Sequence, residues 1–235
     1  MTKRIRQTLE QAARREMALL AAASEADQRR ILKSSTVERL LKLDAHFENW
    51  AHRNQLPPNG LGWRVWLMMA GRGFGKTRAG AEWIQRLAMA KPGVRIALVG
   101  ASIGDARSVM VEGVSGVLSI ARMHHSRVKW EPSLGRLSWP NASQAQIFSG
   151  ENPDGLRGPE HDFAWCDELA KWARAEETWD NVQLGLRRGP LPRALITTTP
   201  RRSNCCSGSR HRIGQSRPAA RPATMSRSTK SSSRS

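Results

Sequence analysis

The sequence predicts an α/β fold, a mainly parallel sheet with helices on both faces, and three observations lead to it. Short, largely apolar runs at 65–69, 96–99, 163–166 and 194–198 have strand length. Residues 77–90 set Trp83, Ile84, Leu87 and Ala88 on one face at helical spacing. Ser102 is placed to cap a further helix from about Asp105 to Leu118. Strands that alternate with helices in this way are joined by crossovers and buried on both sides.

The remaining elements follow in order. Residues 3–32 and 36–52 read as helices, with Met17, Leu19, Leu20, Leu40, Leu41 and Leu43 as apolar positions, and make a helical N-terminal arm over 1–52. A turn at Pro57-Pro58-Asn59-Gly60 separates the arm from a core spanning 53–200. Inside the core, 136–139 and 146–149, joined across Pro140-Asn141, read as a β-hairpin. No internal repeat is present.

Composition changes after Pro200. All 9 Trp precede it, whereas 201–235 carry ten Ser, eight Arg and one Lys without an acid. Such a segment buries too little apolar surface to offset its ordering entropy, so a disordered basic tail is expected. Of the net charge of +18, half therefore sits in the tail. The remainder is still basic and favours a polyanion such as DNA. No apolar run reaches the roughly 18 residues of a membrane span, and no secretory signal opens the chain. Three Cys, two of them adjacent, form no disulfide framework, which fits a reducing cytoplasm.

The segment Ala70-Gly71-Arg72-Gly73-Phe74-Gly75-Lys76-Thr77 follows a predicted strand and opens a predicted helix. That is the context of a phosphate-binding P-loop of a nucleoside triphosphatase. Gly71, Gly73 and Gly75 let backbone N–H groups turn inward around phosphate oxygens, and the helix N-terminus adds its positive dipole end. Lys76 would reach the β- and γ-phosphates of ATP and the Thr77 hydroxyl would ligate Mg²⁺. Ala70 stands where the strict pattern has glycine.

A second element supplies acids. The run 163–166 ends in Asp167-Glu168, about 90 residues after the P-loop with strands between. A strand that delivers Asp167 beside Thr77 lets its carboxylate hold the magnesium shell, and Glu168 can act as general base toward water. The strand 194–198 leads into Thr199-Pro200, whose hydroxyl-rich end can sense the γ-phosphate. His124-His125 reads as an exposed loop pair, Cys166 as packing, and Cys205-Cys206 with His211 does not make a zinc pattern. The Trp-rich stretches read as core, with Trp63 or Trp66 placed to line a nucleotide pocket.

With these elements in order, the chain resembles the large terminase subunit of tailed phages, of the prophage and gene-transfer-agent type. The likeness runs from about Trp50 to Pro200. It includes Gln55-Leu56-Pro57-Pro58, Trp63–Leu67, Gly71–Trp83 (GRGFGKTRAGAEW), Ser149–Pro159 (SGENPDGLRGP), Ala164–Trp172 (AWCDELAKW) and Ile196–Pro200 (ITTTP). The resemblance implies an additional-strand, catalytic-glutamate ATPase core that drives double-stranded DNA into a capsid, in a homo-oligomeric ring with a portal protein and a small terminase subunit. It makes Gln55 the adenine contact, and 71–77 the phosphate loop in which Arg72 and Phe74 also sit. Thr77 and Asp167 become the Mg²⁺ ligands, and Glu168 the base. Thr197, Thr198 and Thr199 take the place of the motif that couples hydrolysis to movement. Two arginines could neutralise transition-state charge: Arg157, placed like a finger acting in trans, and Arg72, acting in cis.

The family's nuclease domain has no counterpart after Pro200, and the core ends at a point where relatives carry further sheet structure. An exposed sheet edge is therefore expected. Two other readings remain: a helicase or other DNA-dependent P-loop ATPase, and an inactive prophage remnant that only binds DNA. The abrupt tail also predicts a frameshift from about residue 201. Asn204-Cys205-Cys206 must be encoded AAY-TGY-TGY, and reading one base earlier turns the two Cys codons into YTG-YTG, a Leu-Leu pair.

Overall fold

Strands buried on both faces must divide their side chains between two cores, and the described residues of the computed structural model, 19–20, 22–37 and 47–200, do so. Seven strands form one sheet: β1 (Val65–Met69), β2 (Arg95–Gly100), β3 (Lys129–Glu131), β4 (Arg136–Ser138), β5 (Gln144–Ser149), β6 (Phe163–Asp167) and β7 (Arg193–Thr198). Their order across the sheet is β1-β7-β6-β2-β5-β4-β3. The first five in that order are parallel, whereas β4 pairs antiparallel with both β5 and β3. Ile96, Leu98, Trp165 and Leu195 enter one core, while Ala97, Val99, Ala164, Cys166, Ala194 and Ile196 enter the other.

The helices are α1 (Glu25–Ser34), α2 (Phe47–Trp50), α3 (Lys76–Ala90), α4 (Ile103–Asp105), which runs on as a π-helix over Ala106–Val111, α5 (Val117–Met123) and α6 (Ala175–Gly185). Helix α3 packs Trp83, Ile84 and Ala88 into the first core, and α6 places Val182 in the second. Crossover helices thus cover both faces, as right-handed connections running in opposite directions along a sheet require. The fit of α3 is close. A Cβ on Gly80 would lie 2.3 Å from the Trp165 ring, so only glycine lets this helix settle on β6.

The predicted strands and the 77–90 helix are found, and the hairpin pairs Ser138 with Gln144 and Arg136 with Gln146. The three-residue β3, between the predicted elements, was not anticipated. Three helical expectations need correction. Residues 105–118 do not form one helix: Ser102 Oγ does accept from the Asp105 N–H at 3.1 Å, but the helix stops at Val111 and α5 starts only at Val117. Between them the chain folds against its own carbonyls. A Cβ on Gly113 would lie 2.7 Å from Val109 O, and one on Gly116 would lie 2.7 Å from Val111 O.

The arm is not one helix over 3–32 either. Ser24 is extended, with ψ 154°, and its side chain caps α1 by accepting from the Asp27 N–H. Likewise 36–52 is not helical to its end, because His52 is extended and caps a 3₁₀ turn at Arg53–Gln55. Residues 1–18, 21, 38–46 and 201–235, with the remaining arm, tail and frameshift expectations, lie outside the described residues. The strand 194–198, where an open edge was expected, is not at the rim: β7 lies between β1 and β6, and among the described residues the rim strands are β3 and β1, where Val65, Leu67 and Met69 are exposed on the second face.

Replacing Gly80 by Ala should cost about 1–3 kcal/mol through overpacking against Trp165. Gly62, with nothing within 4 Å of an added Cβ, should accept Ala without loss. Urea unfolding of the two variants beside the parent chain measures the contrast.

Candidate nucleotide site

The loop between β1 and α3 owes its shape to glycine. Gly73 has φ 78° and Gly75 φ 81°, left-handed values that suit a residue without Cβ. Gly75 caps α3 without a side-chain bond, which leaves the first-turn N–H groups available to an anion. Gln55 holds the loop from outside. Its Nε2 donates to Phe74 O, its Oε1 accepts from the His52 N–H at 2.7 Å, and the His52 ring meets Phe74 edge-on at 5.7 Å. A Cβ on Gly75 would lie 2.7 Å from Gln55 Nε2, so the loop glycine also makes room for this brace.

Lys76 is only 8 % exposed, and its ammonium group uses what surrounds it. Nζ donates to Ala70 O at 2.9 Å, Gly71 O at 3.1 Å and Thr199 Oγ1 at 2.9 Å, with Glu168 Oε1 3.6 Å away. Thr199 binds Glu168 in turn: its hydroxyl donates to Oε1 at 2.7 Å and its N–H to Oε2 at 3.2 Å. Glu168 adopts φ 49°, an unusual conformation for a residue with a side chain, which turns it out of β6. Burial raises its pKa, but the Thr199 bond and the charges of Lys76 and Lys171 outweigh this, so the net shift is downward. The carboxylate is therefore ionised at neutral pH.

Asp167 lies deeper, 9 % exposed. Thr197 donates to its Oδ1 at 2.6 Å, and the Trp165 indole N–H donates to Thr197 Oγ1 at 3.1 Å. Burial raises the Asp167 pKa, opposed by the Thr197 bond and reinforced by the charge of Glu168. A buried carboxylate of this kind, with hydroxyl and carboxylate oxygens as donors, suits a hard divalent cation. Among the described residues no cluster of three or more His, Cys, Asp or Glu forms a ready cage. A bound ion would thus draw its remaining oxygens from phosphate and water.

The structure gathers Lys76, Asp167, Glu168, Thr197 and Thr199 at the carboxyl ends of three adjacent strands. Arg72 lines a cleft of about 420 Å³ with Glu168, Lys171 and Thr199. Thr198 is turned to the other side, where its hydroxyl accepts from the Ala170 N–H at 3.4 Å. Thr77 is half-buried in the first turn of α3. Arg157 stays outside this group, its side chain 64 % exposed and paired with Asp154 at 3.2 Å and Glu177 at 3.7 Å.

Neither tryptophan proposed for the pocket lines this cleft. Trp66 is core, edge-on to Trp83 at 6.2 Å, and Trp63 lies beneath the Arg193 guanidinium at 4.1 Å. His124 is exposed as expected, yet it bonds the buried Glu82 at 2.7 Å. Lys171 escaped the sequence reading; its signal was a cation three residues past Glu168 in a tight turn, where its N–H donates to Glu168 O at 2.7 Å.

Because the Asp167 pKa is raised, the folded state holds the proton more tightly than the unfolded chain. Its ionisation therefore costs stability as pH rises through the folded pKa. Asp167→Asn keeps an acceptor for Thr197 and removes that cost. The melting temperature of the variant, minus that of the parent in metal-free buffer, should grow as pH rises above ~4, the pKa of an unfolded aspartate; a thermal scan at several pH values measures it.

Comparison with known proteins gives the same fold and a family. The large terminase of a thermophilic bacteriophage is 14 % identical, with 68 % of this chain and 38 % of that one covered and a TM-score of 0.51. The large terminase ATPase domain of Thermus phage P74-26 is 23 % identical over 63 % of this chain and 67 % of that one, TM-score 0.45. For the bacteriophage HK97 large terminase the figures are 15 %, 57 %, 29 % and 0.45. The chain thus spans about two thirds of the P74-26 domain and well under half of the other two proteins. No curated protein sequence matches it. The family described as terminase large subunit, T4likevirus-type, N-terminal, matches residues 67–206, more than half of the chain, and the protein belongs to that family.

Proposed function

We propose that this chain is the ATP-hydrolysing motor domain of a terminase large subunit, which moves double-stranded DNA into a capsid together with a portal protein and a small subunit. The observation that carries the reading is the bonded set Lys76–Thr199–Glu168. It joins the P-loop cation, an ionised carboxylate and the end of a third strand in one site.

The roles follow from the contacts. The glycine loop and the first turn of α3 receive the β- and γ-phosphates, with Gln55 bracing the loop beneath the base. Phosphate oxygens compete with Thr199 and Glu168 for Lys76, because a dianionic group attracts the ammonium more strongly than a hydroxyl does. Once Lys76 turns to phosphate, Glu168 loses its main cation and is free to accept a proton from an attacking water. Thr77 and Asp167 would hold Mg²⁺, which when bound supplies positive charge against the phosphate oxygens.

Thr199 then reports the event. Its hydroxyl and N–H both bind Glu168, so a change at the carboxylate is felt at the end of β7. Thr197, bonded to Asp167, ties the same strand to the metal side. Hydrolysis is thereby linked to displacement of the segment after β7, the role proposed for Thr197, Thr198 and Thr199. Arg157, exposed and held by rim acids, is free to reach the site of a neighbouring subunit in a ring, whereas Arg72 already lines its own cleft.

Mg-ATP should raise the melting temperature of the full chain, and Lys76→Ala should remove the rise. Glu168→Gln should keep the rise but lower phosphate release by about 10²–10⁴-fold, since an amide accepts no proton. Unchanged turnover in Glu168→Gln would place the base elsewhere.

Arg157 is tested by mixing. Arg157→Ala and Glu168→Gln chains, each inactive alone, should recover hydrolysis together, because a mixed interface can hold one intact copy of each residue. A steady-state phosphate assay detects this, and no recovery on mixing would move the role to Arg72 or discard it.

A further inference from the structure

The carboxyl ends of the parallel strands are occupied by the site just described, and their amino ends hold a second concentration of polar chemistry. A cleft of about 280 Å³ opens there, lined by Arg95, Arg136, Gln144, Gln146, His161 and Arg188. Register explains why these side chains meet. Arg95 pairs with Gln144 across β2 and β5, and Arg136 pairs with Gln146 across β4 and β5. Ala97 also pairs with Gln146, and Ala97 belongs to the second core. Because side chains alternate along a strand, all four polar residues share that face. His161, packed edge-on against Phe148 at 5.4 Å, closes the cleft against the same core.

Two nitrogens in this cleft are buried without a partner: His161 Nε2 and Arg136 Nε. His161 as a whole is only 4 % exposed. Buried polar nitrogens are normally satisfied, and leaving one bare costs free energy on the order of a lost hydrogen bond. The other basic groups are partly engaged. Arg188 Nε contacts Asp162 at 3.1 Å and its Nη2 donates to Gly93 O at 3.3 Å, Arg95 Nη1 donates to Ala142 O at 3.1 Å, and Arg136 Nη2 contacts Glu131 at 3.3 Å. The one acid on the lining, Glu160, is turned to Arg187 at 2.9 Å. Three guanidinium groups thus face the cleft with spare donors, and the acids near it are already paired.

We infer that this cleft binds a phosphate group, through the Nε–H of Arg136, the Nε2–H of His161 and the guanidinium groups of Arg95 and Arg188. The chemistry is that of a tetrahedral oxyanion with several acceptors for convergent donors. Burial lowers the His161 pKa to about 4 against the opposing charge of Asp162, so the ring is neutral near pH 7. A bound oxyanion selects the tautomer with its proton on Nε2. The cleft lies at the opposite end of the strands from Lys76, so an anion here does not compete with nucleotide. Two sources offer the same group, the backbone of duplex DNA and a free phosphate, and the experiment separates them.

The probe is the side-chain nitrogen spectrum of His161 in the ¹⁵N-labelled full chain at neutral pH. It is titrated once with inorganic phosphate and once with a blunt duplex of about 20 base pairs, a length well beyond one phosphate contact. A saturable shift of Nε2 is expected. A response to duplex alone identifies backbone phosphate, and a response to inorganic phosphate alone identifies a small phosphorylated ligand. Arg136→Gln should weaken the responding titration about tenfold by removing a charged donor.

Gln146→Glu should do the same without deleting any contact, because Gln146 is exposed and a carboxylate there would occupy Arg136 across the strand pair. Both variants should keep the Mg-ATP melting shift, which separates this site from the P-loop. Silence of His161 toward both titrants, or unchanged affinity in Gln146→Glu, would overturn the inference.

Discussion

A buried ammonium ion is the demand around which this protein is organised. Withdrawing such a charge from water costs several kcal/mol unless it is paired and fully hydrogen-bonded. Lys76 meets that demand with two carbonyls of its own loop, the Thr199 hydroxyl and the nearby Glu168 carboxylate. Each partner places a condition on the fold. The carbonyls require the glycine loop to curl back over α3, Glu168 requires β6 to end in a left-handed turn, and Thr199 requires β7 to run beside β1. The same cation thus couples three segments that are far apart in sequence.

The same logic separates the two ends of the sheet. Parallel strands carry their loops at fixed ends, so the side chains that follow β1, β6 and β7 converge on one edge and those that precede β2, β5 and β6 on the other. Cations gather at both, but with different company. At the carboxyl edge Lys76 faces the Glu168 carboxylate and the hydroxyl that binds it. At the amino edge the acids are held in side pairs, and donors are left over. Along β1 neither arrangement applies: Leu67 and Met69 lie open on the second face, next to a strand whose outer backbone groups have no strand partner among the described residues.

How much of this the sequence disclosed depended on how local the cause was. The P-loop, the four long parallel strands and α3 are legible because glycine spacing and apolar runs act within a few residues. Asp167-Glu168 was legible for the same reason, a pair of acids ending a buried run. The break between α4 and α5 was not, since Gly113 and Gly116 look tolerable in a helix until the chain is seen folding onto Val109 and Val111. Trp66 and Trp63 were left between core and pocket because aromatic residues near a P-loop serve either equally well, and only the packing against Trp83 and Arg193 decides for the core. The Lys76–Thr199 bond spans 123 residues and has no signature in either segment.

Chain order gives one feature a consequence in time. Of the described strands β7 comes last in the chain, yet it lies between β1 and β6 rather than at the rim of the sheet. Until Arg193–Thr198 has been made, β1 lacks its one strand neighbour among the described residues and Lys76 lacks its partner on the third strand. The loop between β1 and α3 therefore precedes its partner at Thr199 by more than a hundred residues of chain. Strands β2, β5 and β4 pair with one another without β7, whereas β1 cannot pair with its neighbour until β7 has been made.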